Sequence, residues 1–227
     1  MGISKWKKWL SYFKEVHLES TSSIHNPELH VSLIEGRHQL STDNAIYSFD
    51  DKYDNFAQAF ERVDWENFDC QNVLILGLGL ASIPFILEEN YKLKLDYTCV
   101  EIDEQVIFLA EKYILKNLNS HFEIISTDAE IFINQCVRQY DLICMDIFEN
   151  DFVPPQFETV AYLNQLKTIL RPGGMIMYNR LALTARDIVL SNRFFENEFS
   201  TAFKDGYLMD VGSNYILMND RKGLKNP

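Results

Sequence analysis

Three positions in the middle of this chain have the types and spacing of a nucleotide site. Gly77 and Gly79 stand directly after the apolar run 72–76, and alternate glycines let a backbone turn sharply and approach a ligand closely. Glu101 ends a second apolar run, 24 residues after Gly77, where a carboxylate can accept hydrogen bonds from both hydroxyl groups of a ribose. The spacing therefore predicts a site for a ribose-containing ligand.

Two further acids close predicted strands downstream of these glycines. Asp128 follows the strand 122–126, and Asp146 closes the strand 140–146. Ligands of open α/β sheets bind at the carboxyl ends of the strands, so both acids are expected at that edge. Asp128 also has the residue type of a helix N-cap, because the next helical pattern begins at Ala129. Both roles are open for this residue.

The elements that must position these residues alternate between strand and helix from Val73 onward, a pattern typical of a doubly wound parallel sheet. The predicted strands are 73–76, 93–101, 122–126, 140–146 and 175–179. One predicted helix starts at Ser82, and four others span 104–116, 129–137, 157–170 and 185–199. Two extended segments, 202–209 and 213–218, follow without a helix between them. We therefore predict an α/β fold: a Rossmann-like, doubly wound, mostly parallel sheet with a C-terminal antiparallel hairpin strand.

The N-terminal part has a different pattern. Residues 29–34 alternate apolar and polar side chains, a turn follows at 35–37, and residues 38–48 supply further short extended segments. A helix over 51–63 leads into the larger sheet. We expect residues 1–70 to form an N-terminal helix, a small antiparallel β-hairpin unit and a linking helix, and residues 71–227 to form the Rossmann-like domain.

The first residues combine aromatic and basic side chains at helical spacing. Trp6, Trp9 and Phe13 recur among four lysines between positions 5 and 14. Such a helix can lie on a membrane surface, or it can pack on its own domain or on a partner subunit. We favour packing.

The composition limits the partners and the location of the protein. The 227-residue chain carries a formal net charge of −12, which disfavours nucleic acid because phosphate binding depends on clustered Lys and Arg. A cationic small substrate fits this charge, and so does an acidic surface that only maintains solubility. No apolar stretch approaches the roughly 18–20 residues of a membrane span, and the first residues lack a signal-peptide core. We therefore expect a cytoplasmic protein.

The four cysteines show no paired spacing typical of a metal site. Cys99 and Cys144 fall inside apolar strand patterns, where a thiol serves as a small apolar side chain. We expect reduced, structural cysteines and no metal centre. The five histidines are scattered, and the sequence places none of them as a catalytic base.

Several short motifs together resemble a known family. In chain order they are Gly77-Leu-Gly79, Val100-Glu101-Ile102-Asp103, Thr127-Asp128-Ala129, the strand from Tyr140 to Asp146, and Leu170-Arg-Pro-Gly173-Gly174. Over residues 36–218 their order and spacing resemble the class I methyltransferase superfamily, and within it the spermidine synthase-like branch. The resemblance implies an enzyme, a transferase that uses S-adenosylmethionine or its decarboxylated form.

The resemblance also assigns residues to the cofactor. Gly77 and Gly79 would border the methionine portion, Glu101 would hold the ribose diol, and Asp128 would accept a hydrogen bond from the adenine amino group. The turn at 36–40 is similar to the family's Asp-Gly-x-x-Gln-Leu motif and implies that Gln39 lies near the cofactor. The full set of implied cofactor-binding residues is Gln39, Gly77, Gly79, Glu101, Asp128, Ala129 and Asp146.

Asp146, Tyr53 and Glu149 are the candidate catalytic residues. By resemblance, Asp146 would accept a proton from an attacking amine and Tyr53 would flank that amine, a role for which Tyr47 competes. Aminopropyltransferases read Asp-x-x-Asp-Pro after the fourth strand, whereas this chain reads Asp146-Ile-Phe-Glu149-Asn. The longer second acid and the missing proline favour methyl transfer to a small-molecule acceptor. Aminopropyl transfer from decarboxylated S-adenosylmethionine, as in polyamine synthesis, is the alternative.

Two more remote functions stay open at this stage. An NAD-dependent oxidoreductase would use Gly77, Gly79 and Glu101, although Ser82 and the closing hairpin speak against it. A non-catalytic binding module is suggested by the altered acid motif. The resemblance extends to a homodimer that acts on a small-molecule acceptor such as an amine.

Overall fold

The chain begins with a short helix and a small antiparallel sheet. The computed structural model describes residues 4–42, 46–149 and 151–225. The N-terminal sheet contains, paired in this order, β1 (Val16–Thr21), β2 (Leu29–Ile34), β3 (Arg37–Ser41) and β4 (Ile46–Ser48). The strand predicted at 29–34 is confirmed as β2, whereas no strand was predicted at β1. Only Val16 of β1 is buried, so this strand exists through its backbone pairing with β2 and carries little apolar pattern.

A seven-stranded sheet forms the main body of the protein. Its strands are β5 (Asn72–Leu76), β6 (Asp96–Glu101), β7 (His121–Ser126), β8 (Tyr140–Met145), β9 (Leu170–Leu181), β10 (Tyr207–Asp210) and β11 (Asn214–Met218). They lie in the order β10-β11-β9-β8-β5-β6-β7. The strands β9, β8, β5, β6 and β7 run parallel, and the β11–β10 hairpin joins β9 antiparallel. The predicted fold class is confirmed.

Seven α-helices of six residues or more within the described residues accompany these sheets, and the last of them continues through a π-helical turn at Phe195–Phe199 into a three-residue helical turn at Ser200–Ala202. They are α1 (Lys5–Leu10), α2 (Asp54–Glu61), α3 (Ser82–Tyr91), α4 (Glu104–Tyr113), α5 (Ala129–Gln135), α6 (Val160–Thr168) and α7 (Ala185–Phe194). The helix predicted at 51–63 divides into a 3₁₀ turn at Asp50–Lys52 and α2. Tyr53 stands between them with φ −75° and ψ 77°, outside the helical region. This break gives Tyr53 a position of its own at the entrance to α2.

Alternate side chains of β5 enter two different cores. Val73 and Ile75 pack in one apolar cluster, and Leu74 and Leu76 pack in the other. All four side chains are completely buried, as expected for a central parallel strand covered on both faces. This burial holds the following glycine turn at a defined point of the sheet edge.

The small N-terminal sheet shares a core with the main sheet. Leu29, Val31 and Leu40 belong to the same apolar cluster as Val73 and Ile75. The division of the chain into two domains near residue 70 therefore stays a prediction. Apolar side chains from both sides of this boundary pack in one core.

Helix α1 packs on its own unit through its C-terminal end. The backbone N–H groups of Glu35 and Gly36 donate to the carbonyl and hydroxyl oxygens of Ser11, each at 2.8 Å. Trp6, Trp9 and Phe13 are 61%, 64% and 72% exposed. Packing on its own unit agrees with the favoured interpretation, and the homodimer stays a prediction. None of the helices in the described ranges has the length and apolar character to cross a membrane.

Ser82 ties the N-terminal sheet to the main sheet. Its hydroxyl lies 2.6 Å from the Ser48 hydroxyl and accepts a hydrogen bond of 3.1 Å from the Phe49 backbone N–H. Both serine side chains are buried. The residue that departs from a dinucleotide fingerprint therefore joins β4 to the start of α3.

The Ser82→Ala substitution should lower the free energy of unfolding by about 1–3 kcal/mol, because it leaves the buried Ser48 hydroxyl and the Phe49 N–H without their partner. Ser48→Ala should cost less, since Phe49 keeps its acceptor, and the double variant should cost less than the two single changes added together. Urea denaturation of the four proteins measures this coupling. Ser126→Ala, at an exposed serine, is the matched control. Strictly additive losses would contradict the proposed tie.

Candidate active site

The turn after β5 is pressed between β8 and the N-terminal sheet. Gly77 has φ +88°, and a Cβ atom there would lie 2.4 Å from the backbone oxygen of Asp146. Gly79 has φ +53°, and a Cβ atom there would lie 3.0 Å from the backbone oxygen of Tyr47. Both positions therefore require glycine for conformation and for space. The turn brings the end of β8 and the end of β4 to one place.

Glu101 closes β6 and holds this turn. Its Oε2 accepts from the Leu78 N–H at 2.9 Å, and its Oε1 accepts from the Asp103 N–H at 3.0 Å. Burial raises the pKa of the Glu101 carboxyl, and the backbone N–H donors oppose that shift. A carboxylate offers about four acceptor positions, so two remain for hydroxyl donors. The geometry is compatible with the predicted ribose contact.

Asp146 is the centre of a second polar group at the end of β8. The Tyr53 hydroxyl donates to its Oδ2 at 2.9 Å, and the Asn179 amide donates to its Oδ1 at 2.8 Å. Burial, together with the nearby charge of Glu101, raises the pKa of Asp146 to about 6, although both hydrogen bonds act to lower it. Asp146 as a whole residue is partly exposed.

Tyr53 and Tyr47 occupy different places. Tyr53 contacts Asp146, whereas the Tyr47 hydroxyl donates to Asn26 Oδ1 at 2.9 Å. Burial and the charge of Asp146 raise the pKa of Tyr53 well above its ordinary value, so this hydroxyl stays protonated and acts as a hydrogen-bond donor. Of the two tyrosines that the sequence left open, the structure therefore brings Tyr53 to the acid. Its part in the reaction is still a prediction.

Asp128 caps α5 at the end of β7. Its Oδ1 accepts from the N–H groups of Glu130 at 2.6 Å and Ile131 at 3.3 Å, which confirms the N-cap role. Ala129, the first residue of the helix, is buried beside it. The adenine contact of these two residues stays a prediction. Because β8, β5, β6 and β7 are neighbours in the sheet, Asp146, Gly77, Glu101 and Asp128 follow one another along its carboxyl edge.

Glu149 and Gln39 stand apart from this group. The Glu149 side chain is exposed, and its backbone N–H donates to the Phe152 carbonyl at 2.9 Å in the loop after β8. Gln39 is 9% exposed on β3, opposite Ser32. Among the described residues, no hydrogen bond joins either side chain to Asp146 or Glu101. Their predicted roles stay predictions that the geometry does not support directly.

Three polar residues of the site were not identified from the sequence. Asn179 and Asn214 are buried beside Asp146, and the Asn214 amide donates to Asn179 Oδ1 at 2.9 Å. Asp103 is also buried; it caps α4 and accepts from Ser23 and Asn26, which lie about 80 residues earlier in the chain. The Asp103 cap follows from its position before a helical pattern, but the other contacts depend on tertiary pairing.

The described residues contain no metal site and no disulfide. No group of three or more His, Cys, Asp or Glu side chains in these ranges could hold a metal ion. All four cysteines are free thiols, and burial raises the pKa of Cys99 and Cys144 far above its ordinary value. These two thiols are therefore inert packing groups.

Similar sequences come from polyamine-synthesising enzymes and from a methyltransferase. The polyamine aminopropyltransferase of Vibrio vulnificus is 30% identical over 112 residues, which cover 48% of this chain and 37% of the relative. The polyamine aminopropyltransferase of Saccharolobus islandicus is 35% identical over 115 residues, which cover 47% of this chain and 38% of the relative. A lysine and N-terminal methyltransferase of Bos taurus is 26% identical over 131 residues, which cover 53% of this chain and 18% of the relative. The matched segments span less than two fifths of each relative.

Solved structures share the fold at low sequence identity. A probable spermidine synthase from Corynebacterium glutamicum has a TM-score of 0.69 and 17% identity, covering 91% of this chain and 80% of its own. The spermidine synthase of Thermotoga maritima has a TM-score of 0.65 and 16% identity, with coverages of 89% and 72%. Human methyltransferase-like protein 13, solved in complex with SAH, has a TM-score of 0.58 and 22% identity, with coverages of 70% and 77%.

The sequence motifs, the order of the strands and the row of acids at the carboxyl edge all agree with a specific family. The model of the spermine/spermidine synthase domain matches residues 66–205, more than half of the chain. This chain belongs to the spermine/spermidine synthase family.

Proposed function

We propose that this chain is an aminopropyltransferase, which moves the aminopropyl group of decarboxylated S-adenosylmethionine to an amine acceptor. The polyamine aminopropyltransferases among its relatives support this reaction. The chain matches only part of those proteins, so the proposal depends equally on the chemistry of its own cleft. These relatives favour aminopropyl transfer. The acid motif after β8 alone favours methyl transfer.

The observation that carries the proposal is the unpaired charge of Asp146. Its two hydrogen-bond donors, Tyr53 and Asn179, are neutral. Within the described ranges, no Lys, Arg or His forms an ion pair with Asp146, Glu101 or Asp128. A buried carboxylate without a counter-ion attracts cations strongly. Decarboxylated S-adenosylmethionine and an amine acceptor are both cationic, and neither brings a carboxylate into this negative cleft.

The edge residues fit an adenosine-bearing donor. Glu101, which holds the turn from Gly77 to Gly79, has acceptor positions for two ribose hydroxyls. Asp128 stands one strand further along the same edge. These residues would hold the nucleoside, and the sulfonium would then lie toward Asp146.

The transfer is a displacement at the carbon bonded to the sulfonium. The acceptor nitrogen forms a bond to that carbon, the carbon–sulfur bond breaks, and its electron pair stays on sulfur as a neutral thioether. The nitrogen loses one proton, which Asp146 accepts. A pKa of about 6 leaves Asp146 ionised at neutral pH and makes it more basic than an ordinary Asp. Tyr53 stays protonated and orients the carboxylate.

Methyl transfer from S-adenosylmethionine is the second candidate, favoured by one feature. Glu149, which takes the place of the family's second acid, is exposed to solvent in the loop after β8. A cleft with one acid holds one cationic group less than a cleft with two. The methyltransferase from Bos taurus among the relatives agrees with this reading. Family membership favours either transferase over an NAD-dependent oxidoreductase.

Calorimetric titration should distinguish the two donors. We expect decarboxylated S-adenosylmethionine to bind more tightly than S-adenosylmethionine, because the cleft has no cation for the extra carboxylate. Glu101→Gln should weaken donor binding by about 10- to 100-fold through the loss of a charged acceptor. Glu104→Gln, at an exposed acid three residues further on, should bind like the wild type. Preference for S-adenosylmethionine with methylated product would instead establish the second candidate.

The rate should depend on the ionisation of Asp146. Because its pKa is raised to about 6, kcat/KM should fall as the pH drops through that value and level off above it. Asp146→Asn should lower kcat by about 10²- to 10⁴-fold and remove this acid limb. Initial rates of product formation between about pH 5 and about pH 8 measure both effects. A flat profile for the wild type would rule out Asp146 as the base.

The stability of the same variant provides an independent check. An acid with a raised pKa in the folded state makes the protein lose stability as the pH rises from the ordinary Asp value through about 6. The Asp146→Asn variant cannot ionise at this position and does not lose this stability. The unfolding free energy of the variant minus that of the wild type should therefore increase between about pH 4 and about pH 8. Urea denaturation at several pH values measures the difference. If the difference in unfolding free energy between variant and wild type did not change with pH, the pKa of Asp146 would not be raised in the folded protein.

A further inference from the structure

A line of polar side chains leads from the β10–β11 turn to Asp146. The Ser213 hydroxyl donates to Asn214 Oδ1 at 3.1 Å, and the Asn214 amide donates to Asn179 Oδ1 at 2.9 Å. The Asn179 amide then donates to Asp146 Oδ1 at 2.8 Å. Asn179 is 1% exposed and Asn214 is 9% exposed, so the two amides are shielded from water, whereas Ser213 at the start of the line is exposed.

The direction of this line follows from its carboxylate end. An ionised carboxylate only accepts hydrogen bonds, so Asn179 must turn its NH₂ group toward Asp146. Its oxygen then needs a donor, which the NH₂ group of Asn214 supplies. The oxygen of Asn214 in turn faces a serine hydroxyl, which can donate. Every link therefore donates toward Asp146.

The alternative orientation of Asn179 has a chemical consequence. If the amide turned over, its oxygen would face Asp146 Oδ1, and only a protonated acid could donate to it. Asn214 opposes this, because turning Asn179 alone would set two NH₂ groups against each other; the reversal requires Asn214 to turn as well and to donate to the Ser213 hydroxyl. The sheet keeps both residues in place, since Asn214 pairs with Leu181, two residues beyond Asn179 on β9.

We propose that Asn214 is a positioning residue, which acts through Asn179 to keep Asp146 in the ionised, proton-accepting form. The inference deepens the proposed transfer and rests on Asp146 as its base. The Asn214 side chain itself would contact neither the aminopropyl donor nor the acceptor amine. It would act by favouring the ionised form of Asp146, which does contact the amine.

Other titratable groups also face Asp146 and have to be considered. Tyr53 donates to Oδ2 from the segment before α2, and Glu101 faces the acid from the end of β6. Cys144, two residues earlier on β8, lies close enough for its thiol to respond to the charge of Asp146. The Asn214 variants leave all three groups in place, so a change in Asp146 would come through the amides.

The test measures the ionisation of Asp146 directly. Carbon-13 NMR of the Asp carboxyl carbons, with the Asp146 signal assigned through Asp146→Asn, follows its titration in the protein without any substrate. Asn214→Ala removes the donor to Asn179, which is then free to turn its oxygen toward a protonated Asp146, and should raise the pKa of Asp146 by up to about one pH unit. The acid limb of kcat/KM should move upward with it.

Asn219→Ala is the matched control. Asn219 directly follows β11 at the other end of the same strand and bonds to Ile176 and Gly174, so its loss weakens the same strand pair without touching the amide line. It should leave the titration of Asp146 unchanged. Asn214→Leu keeps the approximate shape of the side chain and removes its NH₂ donor without adding a charge, and it serves if Asn214→Ala does not fold. It should also raise the pKa of Asp146.

Two results would overturn the proposal: an unchanged titration of Asp146 in a folded Asn214 variant, or an equal shift in Asn219→Ala. Failure of the proposed function looks different. In that case the NMR titration still responds to Asn214, while no transfer occurs with either donor.

Discussion

The buried carboxylate of Asp146 imposes the main constraint on this protein. An ionised acid loses hydration when it is buried, and neutral donors replace only part of it. Here those donors come from three parts of the chain: Tyr53 from the break before α2, and Asn179, with Asn214 behind it, from β9 and β11. No Lys, Arg or His of the described residues forms an ion pair with Asp146, and the proposed cationic ligand rests on this.

The backbone around this acid is equally constrained. The end of β8 passes so close to Gly77 that no side chain fits between them, and the end of β4 approaches Gly79 in the same way. Glu101 then fastens the turn from its other side through the Leu78 N–H. One glycine turn thus fixes the position of Glu101 relative to the end of β8 and Asp146.

Local patterns account for the part of the site that could be predicted from the sequence. Gly77, Glu101, Asp128 and Asp146 each follow a strand whose apolar run is visible in the sequence, and parallel strands place such ends at one edge. β1 was missed because its polar residues carry no alternating burial. The helix before the main sheet was predicted without its break, so the special position of Tyr53 was not apparent.

The remaining residues depend on pairing between distant segments. Asn179 was predicted only as the end of a strand, and its contact with Asp146 requires the register of β9 against β8. Asn214 requires in addition that β11 return antiparallel to β9. Glu149 shows what a linear motif leaves out: its spacing from Asp146 matches a second acid, but the loop turns between residues 149 and 152, and the side chain is exposed. Its catalytic role stays a prediction.

The position of Tyr53 outside the segment that matches the family has a consequence for inheritance. Residues 66–205 contain the glycines, the edge acids and Asn179, whereas Tyr53 and Asn214 flank that segment on either side. Asp146 itself therefore lies inside the shared segment, whereas two side chains of its hydrogen-bond network lie outside it. A homologue that matches this segment can keep the carboxylate and still differ in the groups that surround it.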